Sequence, residues 1–204
     1  MSTKDRILKG ALALFNAEGY GQASALDIAT ALAISPGHLY YHFKGKPEIA
    51  LSLLVLHEAD MVMILAACEQ DVAAATDPRT TLQTFLHIQL EEMEDYRFLY
   101  REFASLARTN NAIVAGLTRL AKRQRECLTR CLDGLTPPGT GNLAAEAIQL
   151  GLWAMPGQME LLGGELDPKT RASASASRLI ALLDIMAGKA PAPPSQRKGR
   201  KRKG

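Results

Sequence analysis

Residues 24–46, SALDIATALAISPGHLYYHFKGK, constrain the fold more than any other stretch of the chain. Ser24 followed three residues later by Asp27 has the spacing of a capping box, in which each residue satisfies the other's free backbone N–H. Ile28, Ala29 and Leu32 then give one short apolar helical face. Ser35-Pro36 starts a second helix, because serine caps free N–H groups and proline is preset for the first turn. The result is two short helices joined by a turn of about four residues, the second carrying polar and aromatic groups outward. A pair of that kind lays its second helix in the major groove of DNA.

The rest of the chain reads as all-α, with about nine helices in total and no strand-like alternation. A first helix over residues 3–18 places Ile7, Leu8, Ala11, Leu14 and Phe15 on one face, and Gly19 stops it. Gly45, Lys46 and Pro47 open a long helix to about residue 75, apolar nearly all round at IALSLLVL, which argues burial on several sides. Asp77-Pro78 caps a helix that turns Leu82, Phe85, Leu86 and Leu90 to the core. Helices over 96–108 and 111–134 follow, and TPPGTG breaks the pattern. A last pair spans 142–162 and 168–188, with Pro156 inside the first expected to kink it. The predicted organisation is a three-helix head at 1–47, a helical body at 48–188 and a tail at 189–204.

The charge is uneven. Seven of the 24 basic residues lie in 189–204, which has no acid, so 17 basic face 21 acidic residues elsewhere. Dense like charge with Ala, Pro and Gly predicts a disordered tail that either solubilises the chain or attracts phosphates without sequence preference. The 47% apolar content over 204 residues suffices for a packed core. Apolar stretches such as MVMILAAC at 61–68 fall short of the ~18 residues of a membrane span. Lys4, Asp5 and Arg6 interrupt any leader-like apolar core. Cys68, Cys127 and Cys131 are an odd set without framework spacing, which suits a reducing cytoplasm. Cys127 and Cys131 share a helical face and are either core or a thiol sensor. His87 and Glu91 have metal-pair spacing but no third ligand. There is no phosphate-cradling loop, nucleophile elbow or metal signature, so the expectation is no enzyme and no cofactor.

The opening stretch, RILKGALALFNAEGYGQASALDIATALAISPGHLYYHFKGKPEI, resembles the N-terminal domain of the TetR/AcrR family of bacterial transcriptional regulators. The motifs are an apolar helix ending LF-x-x-x-GY, then DIA, then S-x-G-x-LYYHF-x-x-K. YRFLYRE at 96–102 is similar to a segment in a subset of that family. The chain departs from the pattern at Ala33, where glycine is common and a left-handed residue would cost alanine roughly 1–2 kcal/mol. His38 stands where a small residue is usual, and Ala23 and Ala25 replace hydroxyl residues.

His38, early in the second helix, points to a base-edge contact, with a phosphate contact as the alternative. Gly37 lets the backbone approach DNA. Ser24, Ser35 and Pro36 open helices whose N–H groups can meet phosphate. The resemblance implies that Tyr41 and His42 contact phosphate, that Lys46 does so from the next helix, and that Thr3 and Lys4 reach the backbone. Tyr40 and Phe43 are expected in the small core. The resemblance further implies a homodimer on a palindromic operator, built from the last helix pair through Leu150, Trp153, Met159, Leu162, Leu179, Leu182, Leu183 and Met186. It also implies a small-molecule effector, for which Met61, Met63, Phe85, Phe98, Tyr100, Phe103 and Trp153 are pocket candidates or ordinary core. The expected function is a cytoplasmic repressor released from DNA by that effector, with no membrane partner. An activator of the same fold, or a helical ligand-binding dimer without specific DNA recognition, are the alternatives.

Overall fold

Helix starts follow the caps. In the computed structural model, which describes residues 2–163 and 167–188 (side chains at 157–163 and 168 excepted), ten helices occur among the described residues. The basic tail expected at 189–204 lies outside them. Helix α1 (Thr3–Glu18) opens on a capping box between Ser2 and Asp5, and α2 (Ala25–Ala31) on the predicted one between Ser24 and Asp27. Helix α3 (Pro36–His42) is capped by Ser35, whose hydroxyl accepts the His38 N–H at 3.1 Å. Helix α4 (Lys46–Ala74) follows, then α5 (Pro78–Asp95), capped by Asp77. The helix expected over 96–108 is two: α6 (Phe98–Arg101) and α7 (Phe103–Thr109), broken at Glu102. Helices α8 (Asn111–Leu132), α9 (Gly141–Gly163) and α10 (Pro168–Met186) are the last among the described residues, α9 continuing across Pro156.

Helix α4 is the spine. Ile49, Ala50, Leu53, Leu54, His57, Met61, Leu65, Cys68 and Val72 are buried along it at three- and four-residue spacing. Each fully buried leucine or isoleucine contributes about 1.5–3 kcal/mol. By length and mean hydropathy, 1.9, α4 could cross a membrane, contrary to the expectation that no stretch would qualify. That buried face packs it instead as the core helix against α5 and α8. Gly116 of α8 allows the approach, since a Cβ there would lie 2.6 Å from Leu54 Cδ2.

Two apolar clusters result. One holds Ile7, Ala11, Phe15, Ile28, Leu39 and Phe43 together with the first turns of α4 and with Phe98, Leu99 and Leu106. The head therefore shares its core with α6 and α7. The other fills the body between α4, α5, α8, α9 and α10. An ion pair of Arg79 with Asp184 joins α5 to α10, with Nε 3.0 Å from Oδ1.

Candidate nucleic-acid interface

The turn between α2 and α3 is set by backbone hydrogen bonds. Ile34 N–H donates to Ala29 O and Ala33 N–H to Thr30 O, both at 3.0 Å, which is the Schellman pattern that ends a helix. It requires a left-handed residue, and Ala33 supplies it at φ 52°. Leu39 and Phe43, four residues apart, then anchor α3 with almost no exposure. A helix of two turns has only one inward face, so Tyr40, expected in the core, points out and is 55% exposed. Phe43 is buried as expected. Tyr41 is 84% exposed. His38 is exposed, its ring stacked at 5.3 Å on that of half-buried His42, which Tyr41 meets edge-on. Gly37 has open space where a Cβ would stand. The face presented by Pro36, Gly37, His38 and Tyr41 is aromatic, hydrogen-bonding and free of acid. Ser24 and Ser35 are exposed at the two helix starts.

Lys46 is not a free surface cation. Its ammonium donates to Tyr20 O at 2.6 Å and Ala23 O at 2.8 Å, and sits 4.3 Å from the centre of the Tyr20 ring. These loop carbonyls lie between α1 and α2, and the lysine answers them. Burial lowers its pKa, and Glu102 partly offsets this. Lys4 holds its ammonium 5.3 Å above the Phe43 ring, beside the end of α3, and Thr3 begins α1 half-buried.

The same loop is gripped from the body. Glu102 accepts the Tyr20 N–H at 2.5 Å and the Gly21 N–H at 2.7 Å. Asn16, near the end of α1, donates to Asp95 O at 2.7 Å and accepts the Phe98 N–H at 3.2 Å. Arg97 reaches Asn16 O at 3.2 Å. Helix α1 and the loop that leads into α2 are thus tied to the junction of α5, α6 and α7.

Residues 7–53 match the family described as "Bacterial regulatory proteins, tetR family", and residues 58–154 that described as "Bacterial transcriptional repressor". The chain belongs to the TetR family. Its fold is similar to a TetR-family transcriptional regulator from Marinobacter aquaeolei VT8, at TM-score 0.74 and 21% identity over 92% of this chain and 91% of that one. It is also similar to the fatty acid degradation regulator FadR from Bacillus halodurans, at TM-score 0.65 and 18% identity over 88% and 96%. Among sequences, the uncharacterized HTH-type transcriptional regulator YerO of Bacillus subtilis is 29% identical over 110 residues, 54% of this chain and 36% of that protein. The HTH-type transcriptional regulator QacR of Staphylococcus aureus is 39% identical over 59 residues, 29% and 31% of the two chains. The chain thus matches about a third of the length of these two relatives.

In this TetR-family chain the seven pocket candidates are spread over several environments. Met61 is fully buried, whereas Met63, two residues on and so on the opposite side of α4, is 71% exposed. Met63 lines a surface groove with Val55, Glu58, Val62, Arg119 and Leu120. Phe98 packs on Phe15, 5.2 Å between rings, in the cluster shared with the head. Phe103 is exposed and Phe85 lies in the body core. Tyr100 and Trp153 do meet, edge to face at 5.3 Å.

The interface candidates also divide. Leu150 is 67% exposed, Leu182 is exposed beside Ile185, and Met186 is half-buried. Leu179 and Leu183 are instead buried within the subunit. Leu179 fills the space over Gly151, where a Cβ would lie 2.5 Å from its Cδ2, so it serves α9–α10 packing. Trp153 donates to Gln124 Oε1 at 2.7 Å and belongs to an internal network. The side chains of Met159 and Leu162 lie outside the described residues.

Sequence reading passed over His57. It is fully buried, its Nδ1 2.8 Å from the Glu92 carboxylate and its Nε2 2.6 Å from the Tyr100 hydroxyl. A carboxylate only accepts, so Nδ1 donates to Glu92. Burial, then Glu92, pushes the Tyr100 phenol well above its usual range. Glu102 and Asn16 were equally silent, although YRFLYRE, flagged by resemblance, carries Tyr100 and Glu102. His87 and Glu91 lie 3.7 Å apart on α5.

Proposed function

We propose that this TetR-family chain is a homodimeric, DNA-binding transcriptional repressor of the bacterial cytoplasm, released from a palindromic operator by a small-molecule effector. The head, residues 1–47, reads DNA, and the body, residues 48–188, dimerises and binds the effector. The exposed face of α3, held by buried Leu39 and Phe43, is the observation that carries the reading. His38 reads a base edge from the first turn of α3. Tyr41 and His42 contact phosphate, with the helix starts at Ser24 and Ser35 and the N-terminal Thr3 and Lys4. Lys46 holds the α1–α2 loop and so positions the head. Contacts to phosphate orient the head and carry no sequence information themselves. The exposed apolar side chains Leu150, Leu182 and Ile185 support a two-fold interface through α9 and α10. An effector acts by favouring one spacing of the two heads, since equal affinity for both shifts nothing.

Selection from a random duplex pool with and without residues 189–204 tests this reading. A palindrome enriched by both forms is the expected result. Enrichment of nothing, with all affinity lost on truncation, would overturn it.

A further inference from the structure

Three cysteines that DNA reading does not use meet inside the body. Cys127 and Cys131 lie one turn apart on α8, with Sγ atoms 4.0 Å from each other. Cys68 comes across from α4 to 3.7 Å from Cys131. All three Sγ atoms lie within 4.8 Å of one another, and all are free thiols in the core. The centre of an equilateral triangle with edges of about 4.0 Å lies about 2.3 Å from each corner, the ordinary metal–thiolate bond length.

We propose that Cys68, Cys127 and Cys131 form a three-coordinate thiolate site for a soft, thiophilic ion of the Cu(I) or trivalent arsenic kind.

The donor set is all sulfur, which selects soft ions over oxygen-loving ones. Among the described residues no fourth Cys, His, Asp or Glu joins the group, which lies in the apolar body core with Leu65, Val72, Leu128 and Leu132, whereas structural zinc takes four ligands. Cys131 also lines a cavity of about 500 Å³ with Glu69, Val72, Arg130 and Asp133, which provides an entry path. Arg130 and Glu69 pair at its edge, with Nε 3.0 Å from Oε2. Arsenous acid would exchange three As–O bonds for three As–S bonds, the thiol protons leaving with the hydroxyls as three waters. The product carries no net charge, which suits an apolar core. Cu(I) would displace thiol protons to solvent with no change of oxidation state.

Such an ion would pin α4 to α8. The first turns of α4 pack in the head cluster through Ile49, Ala50 and Leu53. A consequence for DNA binding therefore rests on the function proposed above, whereas ion binding does not.

The test titrates the full, reduced chain under anaerobic conditions with arsenite and, separately, with Cu(I) from a competing chelator. Expected are one ion per chain for at least one probe, three sulfur neighbours at about 2.3 Å by X-ray absorption, and a raised thermal midpoint. Cys68→Ala and Cys131→Ala, checked for helicity, should each weaken binding by more than the ~10–100-fold lost with a supporting residue. X-ray absorption on the unaltered chain keeps the test decisive if a variant fails to fold. The proposal is overturned if neither probe binds stoichiometrically, if Cys68→Ala binds as well as the parent, or if zinc binds more tightly through four ligands. No DNA is present, so this failure is distinguishable from failure of the DNA reading.

Discussion

The Glu102 carboxylate accepts the backbone N–H of Tyr20 at 2.5 Å, across 82 positions of sequence. Its other oxygen takes the next N–H, that of Gly21. Gly19 makes room for it, because a Cβ there would stand 2.7 Å from Oε1. Hydrogen bonds to a charged group contribute about 1.5–3 kcal/mol. Glu102→Ala should therefore lower unfolding stability by about 2 kcal/mol, and Glu102→Gln by less, as read by urea titration. An unchanged midpoint would mean the contact is incidental.

Ala33 holds a conformation suited to glycine, at φ 52°. Relief of roughly 1–2 kcal/mol of left-handed strain is partly offset by the ~0.4–1 kcal/mol entropy of a freer unfolded chain. Ala33→Gly is expected to raise the thermal midpoint by a net stabilisation of up to about 1.5 kcal/mol. A lowered midpoint contradicts the strain argument.

His38 and Tyr41 should differ in what they take away. His38→Ala removes about 1–3 kcal/mol of discrimination at one base position while leaving affinity for scrambled DNA nearly intact. Tyr41→Ala weakens cognate and scrambled duplexes alike. Fluorescence anisotropy on both duplexes separates the two. Identical behaviour of the two variants would remove the base-reading assignment of His38.

Leucines of the last helix pair should also divide. Leu150→Glu, on exposed surface, is expected to shift the chain from dimer to monomer in sedimentation without loss of helicity. Leu179→Ala, within the subunit core, is expected to cost about 2–5 kcal/mol of stability. A dimer that survives Leu150→Glu paired with Leu182→Glu would place the interface elsewhere.

Acid should loosen helix starts. The Ser24 side chain, then its N–H, holds the Asp27 carboxyl below its ordinary value of 3.8. The Thr80 hydroxyl, then its N–H, does the same for Asp77. A depressed folded-state value means the contribution is present above pH 3.8 and is lost as pH falls through the lower folded value. Both groups are fully exposed, so the measurable quantity is the slope. The unfolding midpoint should drop below about pH 4, and Asp27→Asn with Asp77→Asn should flatten that drop.

Helix starts could be read from the chain because capping is local. The boxes at Ser24–Asp27 and the caps at Ser35, Asp77 and Asp167 involve partners within three residues, and the structure begins α2, α3, α5 and α10 there. The turn at Ala33 was marked by the resemblance alone, through the glycine common there, and the structure gives Ala33 a left-handed φ of 52°. The break at Glu102 was not visible, because residues 96–108 have unbroken helical composition and the partner of Glu102 lies in the α1–α2 loop.

Short-range chemistry therefore accounts for the helix pair and the all-α class. Long-range packing accounts for the rest. It turned Tyr40 outward by anchoring α3 through Leu39 and Phe43, and drew Lys46 onto the carbonyls of Tyr20 and Ala23. It buried Leu179 inside the subunit and brought Cys68 to Cys127 and Cys131. Periodicity says that a helix has an inner face, but the partner on that face is chosen by how α4, α8 and the head pack together. No local pattern encodes that choice, because the contacting residues are dozens of positions apart and their energy exists only once the core closes.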